Sequence, residues 1–75
     1  MFVLAYHEAV GAGWALAINS DSIQSVRLGQ DADDSWGYVI DTTIGTFMID
    51  ENAMELLVGY NVASYLKKDL EILSR

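Results

Sequence analysis

Residues 51–75 read ENAMELLVGYNVASYLKKDLEILSR. This stretch decides the fold, because its helical periodicity is apolar on two faces at once. At 100° per residue, Ala53, Leu56, Tyr60, Ala63, Leu66, Leu70 and Leu73 share one broad stripe, the pattern of a face turned to a core. Met54, Leu57, Val58, Val62, Tyr65 and Ile72 fall on the opposite side, with Val58, Tyr65 and Ile72 spaced by sevens. Asn61, Ser64 and Lys68 interrupt that second face, so it does not form a continuous coiled-coil seam. A small domain needs only one apolar face, and the second leaves two readings open. Either the helix is buried on both sides within its own fold, or kinked at Gly59 so that its halves bury different sides; or a second copy or another protein covers the spare face. The second reading makes Met54, Val58, Val62, Tyr65 and Ile72 the expected interface, in a homodimer or a contact with another protein.

Upstream of this helix the period changes from 3.6 to 2. Phe2, Leu4 and Tyr6 alternate with Val3, Ala5 and His7, and Trp14, Leu16 and Ile18 with Ala15, Ala17 and Asn19. Both runs read as strands, joined into a hairpin by a turn at Gly11-Ala12-Gly13. A polar turn follows at Asn19-Ser20-Asp21-Ser22. Residues 23–28 read as a third strand with Val26 and Leu28 facing in, Arg27 out, and Ile23 out of phase, which calls for a bulge or a helical turn. After the acidic loop 29–35, residues 36–42 make a well-patterned fourth strand, Thr43-Ile44-Gly45 a turn, and residues 46–49 a short fifth strand. Asp50 is placed as helix N-cap, with Ile49 and Met54 set for a hydrophobic staple; Asn52 with Glu55 offers a competing capping box. The expected fold is α+β: a single domain over 1–75, with an antiparallel sheet of four to five strands in 1–50 and one closing helix over 51–75 packed on one face.

Seventy-five residues lie near the lower end of what one core stabilises unaided. With no cysteine, neither disulfides nor thiol chemistry contribute, which fits a cytoplasmic protein. The opening MFVLAYHEAVGAGWALAI lacks the basic segment of a signal peptide and the unbroken length of a membrane span, so no membrane role is expected. The net charge is −7 and unevenly placed. Residues 1–50 hold seven acids against Arg27 alone, a net of −6; residues 51–75 hold four acids and three bases, a net of −1. Such a surface repels phosphate, which argues against direct DNA or RNA binding, and attracts a basic protein surface. The plainer account of the charge is solubility.

Catalytic and metal motifs fail on inspection. His7 is the sole histidine, and Glu8 beside it in a strand points to the other face, so no orienting partner is in place. Asp31, Asp33 and Ser35 resemble the opening of a calcium loop, but Trp36 occupies the required glycine position and Thr42 that of the bidentate glutamate. The short Gly11-Ala12-Gly13 turn precedes a strand and does not make a phosphate loop. Trp14, Trp36, Tyr38 and Tyr60 lack the interleaved bases that a nucleic-acid stacking platform needs. No catalytic residue, metal or cofactor is expected.

Over roughly half the chain, from Leu16 to Leu57, the sequence resembles the small flagellar FlbD-like proteins. The resemblance rests on Ile18-Asn19, Ile23, Val26, Gly45, Phe47, Ile49 and Glu51: an apolar-Asn step, a strand, a glycine turn, and an apolar strand leading into an acid-capped helix. The chain departs from the pattern in its extra leading hairpin, its longer acidic loop and its longer helix. The resemblance implies an interaction protein docked in a larger assembly, and it transfers no functional residue. Read from the residues themselves, the expectation is a small acidic protein-binding module, most concretely a phage anti-defence or anti-CRISPR-like inhibitor occluding a basic surface. Asp31, Asp33, Asp34 and Asp41 would make its electrostatic contact.

Overall fold

The computed structural model describes residues 1–11 and 14–75. The expected turn at Gly11-Ala12-Gly13 thus lies partly outside the described residues. Five strands, β1 (Phe2–Tyr6), β2 (Ala15–Asn19), β3 (Ile23–Gln30), β4 (Trp36–Thr42) and β5 (Gly45–Ile49), precede two helices, α1 (Glu51–Val58) and α2 (Tyr60–Leu73). The strands form one antiparallel sheet in the order β2-β1-β5-β4-β3. The α+β class, the leading hairpin and the third-to-fifth-strand meander agree with the sequence reading. The single closing helix does not, and the reason lies at Gly59.

The sheet is strongly curled. β2 and β3 are its opposite edges, about 19 Å apart in a flat five-stranded sheet. Yet only the 3-10 turn Ser20–Ser22 joins them, and a chain of that length reaches about 14 Å at most. The two edges must therefore approach each other at this end. Backbone bonds fix the corner: Ser20 N–H donates to Met1 O (2.8 Å), and Thr43 N–H donates to Ser22 O (3.1 Å). Asn19 caps the turn, its Oδ1 accepting from Asp21 N–H at 3.0 Å. The out-of-phase Ile23 is resolved by a register shift between Ile23 and Ser25, the bulge that the sequence called for.

The concave face carries Val3, Ala5, Leu16, Ile18, Val26, Leu28, Tyr38, Ile40, Phe47 and Ile49, which pack with Ala53, Met54 and Ala63 of the helices. Register confirms the shared face, with Val3 opposite Ile18, Val26 opposite Ile40, and Ile40 opposite Phe47. Asp50 is the N-cap of α1, its Oδ1 accepting from Ala53 N–H at 2.8 Å. At Gly59 the backbone adopts φ 85°, ψ 164°, a conformation open almost only to glycine. α1 ends there, and α2 starts in a new direction. Lys67 of α2 reaches back to Glu55 of α1, and to Glu51 at 3.9 Å, tying the two helices together.

Candidate functional site

The break at Gly59 redistributes the two helix faces. Met54, expected on the outward face, is fully buried in the monomer's own core, and Val58 is half-buried against that core. Met54 is therefore not available to a partner. In the other direction, Leu56 and Tyr60 belong to the wheel's core stripe but are 68% and 80% exposed. A wheel drawn at a constant 100° holds only while the axis is continuous, and here it turns between the two residues. Within α2 the wheel holds from Val62 to Ile72, while Tyr60 and Leu73 at its two ends, both on the expected core stripe, are exposed. Ala63 is buried, Leu66 and Leu70 pack on the core, and Val62, Tyr65 and Ile72 look outward. The uncovered helical surface thus consists of Val62, Tyr65, Ile72 and Leu73 on α2, with Leu56 and Tyr60 at the helix junction.

The loop 31–35 closes the β3–β4 hairpin, whose last pair is Gln30 opposite Trp36. Asp31 turns its Oδ1 inward to accept from Asp33 N–H (2.8 Å) and Ser35 N–H (3.1 Å). That carboxylate stiffens the loop. Asp34 sits at φ 62°, a left-handed position that aspartate tolerates better than most residues. Asp33 and Asp34 are exposed and form no ion pair among the described residues. Glu8 lies at the same end of the molecule, lining with Asp31, Gln30 and Arg27 a hollow of about 270 Å³ over Val39 and Met48. The result is an acidic tip, held by the hydrogen bonds that Asp31 accepts.

Asp41 is not part of that tip. It sits toward the other end of β4 on the convex face of the sheet, where four hydrogen bonds converge on its carboxylate. Arg27 donates from Nε (2.7 Å) and Nη2 (3.2 Å), Ser25 from Oγ (2.6 Å), and Thr46 from Oγ1 (2.9 Å). The Arg27 guanidinium, then the Ser25 and Thr46 hydroxyls, hold this carboxyl well below the usual carboxylate range. Its charge is answered within the chain, so Asp41 is a poor choice for contact with an outside base. The pairing was readable in principle, since Arg27 is the sole base among residues 1–50, but strand register had to be known to find it.

His7 packs its ring against Trp14 (centroids 5.3 Å apart) and edge-on to Phe47 (6.3 Å). These neighbours cannot orient a general base. No group of three or more potential metal ligands occurs among the described residues. No helix among them is long and apolar enough to cross a membrane. Sequence reasoning missed the convex face of the β1–β2 hairpin, where Phe2 and Leu4 are 67% and 57% exposed. Its signal was the absence of polar alternation in both strands. The molecule is thus defined as a small α+β domain with a curled five-stranded sheet and two helices. No family model, curated protein or solved structure matches the chain.

Proposed function

We propose that this chain is a small acidic protein-binding module that inhibits a nucleic-acid-binding machine by occluding its basic surface, in the manner of a phage anti-defence or anti-CRISPR-like protein. The observation that carries this reading is the tip. Asp33 and Asp34 project without cationic partners among the described residues from a loop that Asp31 has already stiffened. A rigid acidic loop loses little conformational freedom on docking, and steering by opposite charge accelerates encounter with a basic groove. The role needs no catalysis, metal or cofactor. Asp33 and Asp34 remain the electrostatic contact, Asp31 holds the loop that presents them, Asp41 is left out, and Leu73 of α2, which lines a hollow with Asp34 and Trp36, adds apolar area beside them.

The test is displacement of nucleic acid. A partner recovered with the wild-type chain should release a bound oligonucleotide as the chain is added. The triple variant Asp31→Lys, Asp33→Lys, Asp34→Lys should need at least about tenfold more protein for the same release, a loss of roughly 1.4 kcal/mol. A partner with no nucleic-acid activity, or equal potency of the variant, removes the reading. A second reading, an accessory subunit docked in a larger assembly as the flagellar resemblance implies, is favoured by the neighbouring exposed Leu56 and Tyr60. Under that reading Tyr60→Ser abolishes binding and the loop variant leaves it unchanged.

A further inference from the structure

The convex face of the sheet has two halves of opposite character. Over β3–β5 it is polar, tiled by Ser25, Arg27, Asp41 and Thr46. Over the β1–β2 hairpin it is uncharged and largely apolar, with the exposed Asn19 opposite Phe2 at one end. Phe2 and Leu4 stand on β1, with Tyr6 partly covered beyond them; across the ladder, Ala17 lies opposite Leu4 and Ala15 opposite Tyr6. A ridge of large side chains therefore runs beside a trough of alanines. Residues 1–6 and 14–19 contain no charged side chain, in a chain whose net charge is −7.

We propose that this hairpin face is covered by a second copy of the chain, related by a two-fold axis that runs along the strands between β1 and β2. That operation keeps each residue's level along the strands, so it lays Leu4 and Tyr6 of each copy over Ala17 and Ala15 of the other, with Phe2 beside Asn19 at the end of the contact, and one surface is its own complement. Charge selects the occupant. Two copies of −7 repel wherever their acids meet, and this face holds none, so it is where they can approach at least cost. A basic protein would find no carboxylate here to pair with. An anionic membrane would repel the chain and find no lysine or arginine on this face to hold. Area sets the strength. By the usual areas of such side chains, the exposed parts of Phe2 and Leu4 with the two alanines offer on the order of 300–400 Å² per copy, against about 800 Å² in a standard interface. The dimer is therefore weak and concentration-dependent, and it leaves the acidic tip and the α2 stripe free.

Solution mass measured by sedimentation equilibrium between about 1 µM and 1 mM tests this. The wild type should rise from the 8.3 kDa of one chain toward twice that value. Added salt should increase the dimer fraction, because it screens the repulsion between copies. Leu4→Asp and Ala17→Glu should stay at 8.3 kDa, while Tyr65→Asp should dimerise like the wild type. Both hairpin positions are exposed in the monomer, and circular dichroism checks their folding; Phe2→Ser replaces Leu4→Asp should that variant unfold. A wild type at 8.3 kDa throughout overturns the proposal. So does loss of the dimer in Tyr65→Asp alone, which moves the contact to α2. A dimer that survives Leu4→Asp but not Ala17→Glu also overturns it, since that pattern means edge-to-edge pairing of β2.

Discussion

At Asp41, four hydrogen bonds from three side chains meet on one carboxylate, and the consequence for stability can be signed. The folded-state pKa lies below the unfolded value of about 3.9. The contribution is therefore complete above that value and is lost as pH falls from about 4 toward the lower folded-state pKa. Asp41→Asn should melt below the wild type at pH 7, and the gap should narrow steadily below about pH 4. A gap unchanged at pH 3 would mean that the charge is irrelevant and only side-chain shape matters. Met54 raises the opposite question, since periodicity placed it outward and the structure buries it completely. Met54→Ala should cost about 2–5 kcal/mol in urea unfolding, whereas the same truncation at exposed Tyr65 should cost under about 0.5 kcal/mol. Similar costs at both positions would contradict the assigned helix orientation.

Among the elements, the strands were the most readable, because strict alternation in 36–42 and the Gly45 turn leave few other registers. The N-cap at Asp50 and the irregularity at Ile23 were also legible, each from local chemistry alone. The helix break was legible only as one open alternative, a kink at Gly59 whose two halves bury different sides. Apolar spacing continues smoothly through Gly59, and a lone glycine in a helical pattern is compatible with a continuous, a kinked or a terminated helix. The backbone at φ 85°, ψ 164° settles the matter, since side-chain-bearing residues enter that region only under strain. Gly59→Ala should destabilise the fold by about 1–3 kcal/mol, measured by denaturant unfolding. A variant as stable as the wild type would show that α1 and α2 can fuse into the one long helix that the sequence pattern suggests. The acidic loop was found from sequence. The separation of Asp41 from it was not, because a linear charge count cannot tell a paired carboxylate from a free one.

On the scale of the whole molecule, charge and apolar surface are segregated. Carboxylates crowd the tip, ion pairs tie the helices, and the β1–β2 hairpin face carries none. The accessible surface of 4765 Å² is close to the about 4,600 Å² expected of a compact monomer of this mass. The two proposed contacts should then respond to salt in opposite senses: self-association strengthens, while partner binding through the tip weakens. The most direct measurement is partner affinity as a function of salt concentration, for the wild type and for Asp31→Lys, Asp33→Lys, Asp34→Lys. The account predicts that wild-type affinity falls steeply as salt rises and that the triple variant is weaker at low salt with a much flatter dependence. Equal affinities and equal slopes for the two proteins would contradict the claim that the acidic tip is the binding surface.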